Sequence, residues 1–309
     1  MYKQRTKRTQ STVFALLCCA CMLLFIFDSA HITALIYNGI FFALKKIIPS
    51  LFPFLLLSDI LISTGVLWSV SKKLAPFFIR LKLNPSIVIP MTLGLVCGFP
   101  IGAVCVKEFH EKGFLSKKEA DCALALSNCA SPAFVISAVG ENMLGDASLG
   151  VFLWLCAVLV SFSMSLLFMP KYKEKEHTFN MAEGDDFDFA SAFVRSAKKS
   201  AMSMLNIGVL ISFFYMLCSL CVSFLEKIDF SPITAAVVCC VLELGNGCYL
   251  ASSLGTLASC ICAFAVGFGG FCVFFQVKAA AHENSDMRIY LTIKLLCGLI
   301  SALFAFFLL

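Results

Sequence analysis

Residues 148–169, SLGVFLWLCAVLVSFSMSLLFM, hold no charged side chain. A helix needs roughly 20 residues to cross the hydrocarbon of a bilayer, and a water-soluble helix would keep a polar face that this stretch lacks. Similar apolar runs recur along the chain, and no ten-residue alternation of apolar and polar residues points to a barrel. Composition agrees: 60% of residues are hydrophobic and 14% charged, with a mean hydropathy of +0.92, against roughly 45–50% and about 25% in soluble domains. The expected class is an all-α, polytopic integral membrane protein whose first partner is the lipid bilayer.

The segment MYKQRTKRTQ carries four basic residues and no acidic one before the apolar run Thr12 to Phe27. With no clean cleavage site, this predicts an uncleaved first helix with its N-terminus in the cytoplasm. Nearly all of the 17 cysteines lie inside apolar runs such as AAVVCCVLE and ASCICAF, where cysteine packs as a small hydrophobe. Cys218 and Cys221 form a lone C-x-x-C with no second pair, so neither zinc nor another cofactor is expected. The net charge of +5 is spread over short loops, without the basic stripe of a nucleic-acid surface. Neither a G-x-S-x-G elbow nor a phosphate-binding G-x-x-x-x-G-K-[ST] loop occurs, and no catalytic residues are assigned.

The polar stretch KYKEKEHTFNMAEGDDFDF divides the chain. The expected organisation is a tail and first transmembrane helix over 1–34, a first repeat over 35–170, a linker over 171–190 and a second repeat over 191–309. The order of elements returns after the linker. FALKKIIPSLFPFLLLSDIL at Phe42 has a counterpart in VRSAKKSAMSMLNIGVLISF at Val194, with Lys45 and Lys46 matching Lys198 and Lys199. GLVCGFPIGA pairs with CCVLELGNGC, and NCASPAFVISAVG with GFGGFCVFFQVKA. Shared composition explains any one pair; these three pairs and the last span that follows them in each half, four features in one order, predict two homologous halves. Interrupted segments at matching places mark secondary transporters built from inverted repeats, so inversion is inferred where repetition is read.

A turn at membrane depth must be buried in protein or face water, and the helix it starts exposes free N–H groups that favour an anion. The candidate binding residues are therefore Gly98, Pro100, Gly102, Ser127, Asn128 and Ser131 in the first half, and Asn246, Gly247, Gly269, Gly270 and Gln276 in the second. Tight helix packing is the alternative for each glycine. The ionisable residues in apolar surroundings are Asp59, Glu243 and, near a span end, Lys107. Glu243 and Lys107 are candidates for coupling or charge pairing, with a proton or sodium as the coupling ion. A neutral Glu243 bonded to a neighbouring helix is the alternative, and Asp59 is expected near an interface.

Through IIPSLFPFLLLSDIL, GFPIGAVCVKEFHEKGFLSKKEA, SNCASPAFVISAVG, LELGNG and GFGGFCVFFQV the chain resembles the YlbJ family of sporulation integral membrane proteins, within the group carrying the nucleoside-recognition or Gate domain. The resemblance covers about Ile47 to Val277. It implies a fold like the repeated core of concentrative nucleoside transporters, and a cell-membrane transporter moving dipicolinic acid, a small anion, across the outer forespore membrane. The chain departs from the family pattern at Val104, where a lysine is usual, at Gly245 and at Phe274. Lys107, one turn beyond Val104, is the expected substitute. The alternatives are a transporter of another small carboxylate or nucleoside, and a scaffold that does not transport.

Overall fold

The computed structural model describes residues 25–172 and 188–308, with a few positions between 12 and 23. The basic N-terminal tail and most of the linker lie outside these residues, as does much of the expected first helix. Among the described residues the chain is helical, without strands, and it is a multi-pass membrane protein. Helix α1 (Ser29–Phe42) passes through a wide turn at Ala43–Ile47 into α2 (Ile48–Ser63), followed by α3 (Val66–Arg80). Next come α4 (Val88–Cys97), α5 (Ile101–Glu111), α6 (Lys117–Ser127), the wide-turned α7 (Phe134–Met143) and α8 (Ala147–Phe168). Beyond the linker lie α9 (Phe189–Lys227), α10 (Pro232–Leu242), α11 (Leu244–Ala251), α12 (Ala258–Phe268), α13 (Gly270–Ala280) and α14 (Met287–Leu308).

Among the described residues, four stretches are long and apolar enough to cross a membrane: Ala147–Phe168, Phe189–Lys227, Gly255–Ala280 and Met287–Leu308. Exposed Leu155 and Leu159 on α8, Leu205 and Val209 on α9, and Leu299 and Leu303 on α14 give these helices apolar outer faces suited to lipid. At 1.5 Å per residue, the 39 residues of α9 reach nearly 60 Å, about twice the hydrocarbon thickness. Its first turns, which carry Arg195, Lys198 and Lys199, therefore extend beyond the apolar layer.

All four expected interruptions are present, and they are of two kinds. Helices α4 and α5 pack side by side, as do α10 and α11, so each pair is a re-entrant hairpin with arms of 8 to 11 residues. Helix α6 runs on through Asn128–Ser131 into α7, and α12 through Gly269 into α13, without side-by-side packing; each pair is a broken span. Contacts recur in matching order. Where α5 meets α6, α11 meets α12; where α6 meets α14, α12 meets α8; where α5 meets α13, α11 meets α7.

Candidate functional site

The backbone at the first hairpin tip is set by Gly98 at φ 81°, followed by the cis Phe99–Pro100 peptide. A Cβ on Gly98 would stand 2.8 Å from Ser131 N, and one on Gly94 or Gly102 would overlap the Ser127 carbonyl. The hairpin is thus seated against the break between α6 and α7. The polar side chains there are spent on the backbone. Asn128, fully buried, accepts from Ala103 N at 3.1 Å and donates to Leu124 O at 2.7 Å. The Ser127 hydroxyl donates to Ala123 O at 2.5 Å, and Ser131 Oγ accepts from Phe134 N at 3.3 Å.

The second half repeats this logic with a carboxylate. Glu243 caps α11, accepting from Gly245 N at 2.9 Å and from Asn246 N and Nδ2 at 2.7 and 3.0 Å. Its carboxyl oxygens sit at the helix N-terminus, where the free N–H groups point. The side chain of the chain itself thereby occupies the place foreseen for a ligand. Gly270, at φ 78°, lies so close that a Cβ would stand 3.2 Å from the carbonyls of Cys240 and Leu242. Gly269 turns the chain at φ 86°, and Gly247 packs against Cys240 with no room for a side chain.

A cavity of about 1020 Å³ opens between the end of α2, helix α5, the first turns of α9, and α13. Of the candidate binding and coupling residues, Pro100, Lys107 and Gln276 line it, and so do Asp59 and Val104. Gly98, Gly102, Ser127, Asn128, Ser131, Glu243, Asn246, Gly247, Gly269 and Gly270 do not border it; they hold the breaks closed. The four breaks meet in two pairs, first with second and third with fourth, and only the first reaches the cavity wall, through Pro100. Val104 and Lys107, one turn apart on α5, share that wall.

Most charges around the cavity are paired. Asp59 accepts from Ser196 Oγ at 2.8 Å and from Lys199, tying α2 to α9, and Lys199 also reaches Glu108 on α5 at 3.8 Å. Glu108 holds Lys112 at 2.8 Å, and Lys107 lies 4.0 Å from Glu111. Asp188 caps α9 through Ala190 N and Ser191 N. Arg195 lines the cavity with no carboxylate partner among the described residues. A guanidinium held out in this way can take a carboxylate through two parallel N–H bonds. Asn206 also faces the cavity, and buried Gln276, which donates to Cys272 Sγ at 3.3 Å, lies at its inner end. Among the described residues no group of three or more His, Cys, Asp or Glu side chains is gathered for a metal.

The first hairpin, the first broken span and the approach to α8 form one continuous block, and that block has known counterparts. Residues 44–147 match the family model described as Gate, nucleoside recognition. The Gate segment thus contains Pro100, Val104 and Lys107 of the cavity and both first-half breaks. Among curated proteins, the sporulation integral membrane protein YlbJ of Bacillus subtilis (strain 168) is 29% identical over 133 residues. That alignment covers 43% of this chain and 32% of YlbJ, so the chain matches about a third of that relative's length. No solved structure matches.

Several features beside the Gate segment were not foreseen. Arg195 and Asn206 stand in VRSAKKSAMSMLN, whose helical spacing was the available signal. His282, between α13 and α14, donates through Nε2 to Asp121 Oδ1 at 3.1 Å, and Asp286 N donates to the same oxygen at 3.0 Å. Burial holds the His282 imidazole below its ordinary pKa despite the nearby Asp121 carboxylate, and His110 and Lys117 push the same way as burial. Lys294, a fourth ionisable residue in apolar surroundings, lies at 3% exposure within α14.

Proposed function

We propose that the protein is a transporter of a small anion, and that the cavity between α2, α5, α9 and α13 is its substrate site. The observation that carries this reading is the cavity itself: it reaches the first hairpin tip at Pro100, meets second-half Gln276, and presents Arg195, which has no carboxylate partner among the described residues. A cavity joining an interrupted helix of each half has the geometry of alternating-access carriers. In this reading residues 35–170 and 191–309 are inverted repeats, and the matching contacts of α4–α8 and α10–α14 support that division. The Gate match and the likeness to YlbJ favour a role in spore formation, and the outer forespore membrane and dipicolinate are what the family resemblance implies for place and substrate. Its carboxylates suit Arg195, with Lys107 on the same wall where the family pattern places a lysine at Val104.

Vesicles containing the purified protein should take up labelled dipicolinate saturably, and an imposed proton or sodium gradient should identify the coupling ion. Absence of flux from a protein that still restores sporulation to a deletion strain would replace the transporter with a scaffold. Flux of another carboxylate or of a nucleoside, without dipicolinate, would correct the substrate alone.

A further inference from the structure

Outside the cavity, α14 packs against α8 and α6 along a seam that collects unpaired polar groups. Lys294 is 3% exposed there. Its ammonium meets the Cys129 thiol at 3.9 Å and no carboxylate among the described residues. Tyr290, one turn earlier on the same helix, is 1% exposed, with the Cys129 and Cys297 thiols as its ionisable neighbours. The Tyr290, Ser165 and Ser301 hydroxyls are buried without a hydrogen-bond partner among the described residues. All three belong to α8 or α14.

The helix directions bring these groups to neighbouring levels. Asp286, just before α14, meets Asp121 near the start of α6, and Lys294 meets Cys129 just past its end; these two helices run parallel. Helix α8 runs the opposite way, since Ser161 donates to Ala125 O at 3.0 Å and the Cys122 thiol to Phe168 O at 3.3 Å. Tyr290, midway between Asp286 and Lys294, therefore lies level with Ala125 and Ser161, and Ser165 stands one turn farther along α8.

A buried ammonium without a counter-charge is strongly unfavourable, and a buried hydroxyl without a partner adds to that cost. Among the described residues the Cys129 thiol is the one hydrogen-bonding group that Lys294 reaches, and the nearby α6 carbonyls of Ala123, Leu124 and Ala125 each already accept from Ser127, Asn128 or Ser161. What remains is a group of donors, an ammonium, a phenol and a serine hydroxyl, with no acid among them. We propose that the seam between α8 and α14 binds a small anion, either an inorganic ion of halide size or a single carboxylate, through Lys294 and Tyr290. This site is separate from the cavity and stands whether or not the cavity transports.

Trp154 reports on this place, because its Nε1 donates to Ala130 O, beside Cys129, at 3.2 Å. The chain has two tryptophans, so Trp68→Phe leaves Trp154 as the sole emitter. The full chain carrying that change, purified in detergent, is titrated with sodium chloride and separately with sodium acetate, ionic strength being held with sodium isethionate. Trp154 emission should change saturably. A response to chloride alone assigns an inorganic ion, and a response to acetate assigns a carboxylate. Lys294→Met should weaken the response at least about tenfold, the loss expected for a charged hydrogen-bond donor, while Lys118→Met on the exposed start of α6 should leave it unchanged. Tyr290→Phe removes a hydroxyl that has no partner among the described residues, so it should fold normally and still bind the anion more weakly. No saturable response in the Lys294 protein overturns the proposal, whatever the folding of the variants. So does a response with the same midpoint in Lys294→Met or in Tyr290→Phe.

Discussion

The helix breaks and the cavity make opposite use of polar residues. At the breaks, Asn128, Ser127, Ser131 and Glu243 are bonded to backbone N–H or C=O groups that helix interruption would otherwise leave bare. At the cavity, Arg195 and Asn206 face open space, and the charged groups near them are tied to one another across helices. Within a bilayer an unpaired peptide group finds no water. A polar residue in an apolar run therefore serves its own backbone first, and only side chains that the backbone does not claim are free for a ligand.

Substitutions can break this distinction, and the largest effect belongs to backbone contact. Gly102→Val should abolish monodisperse folded protein in detergent, since its Cβ would overlap the Ser127 carbonyl; a normal yield would show that the first hairpin is not seated as described. Asn128→Leu leaves Ala103 N and Leu124 O without their side-chain partner and should cost about 2–3 kcal/mol of stability. Its flux should fall in proportion to folded protein, whereas lost flux at full stability would return Asn128 to the substrate site. Glu243→Gln keeps one acceptor of the α11 cap and should cost about 1 kcal/mol, read as a lower melting temperature.

A smaller effect is expected from pH at His282, whose folded pKa lies below its ordinary value of 6.5. As pH falls past that value the unfolded chain takes up a proton that the folded imidazole resists, so the unfolded state gains. The associated stability is present above pH 6.5 and is lost as pH falls through the folded value. Melting should drop by roughly a few degrees between pH 7.5 and 5.5, and His282→Asn should flatten that slope. Smallest in stability is Arg195→Ala, expected to stay within about 0.5 kcal/mol for an exposed side chain, yet to lower anion flux about tenfold through loss of a charged hydrogen-bonding partner. A large loss of stability with unchanged flux would reverse the roles of cavity and break.

Much of the fold is legible in the chain. Gly98 before Pro100, the Asn128 to Pro132 turn, Glu243 before Gly245, and the Gly269–Gly270 pair each interrupt an apolar run, and the structure breaks its helices at all four. The difference between hairpin and broken span was not legible, because it depends on which helix the turn packs against. Gly94 and Gly102 read as small residues, and their common neighbour, the Ser127 carbonyl, is distant in sequence. The cavity was legible at Pro100, Lys107 and Gln276. Arg195 was hidden among the basic residues at the start of α9, where charge alone does not tell Lys199, paired with Asp59, from an arginine facing the cavity. Lys294 had a plain signal, a lone cation inside an apolar run.

The most direct measurement of the central claim is dipicolinate uptake by vesicles containing Val104→Trp, compared with the unchanged protein at equal folded amounts. Val104 lines the cavity from the second arm of the first hairpin, one turn past its tip, and an indole there fills cavity space. The account predicts uptake by the unchanged protein and its loss in the variant, with melting temperature preserved. Uptake that continues undiminished through the filled cavity would contradict it.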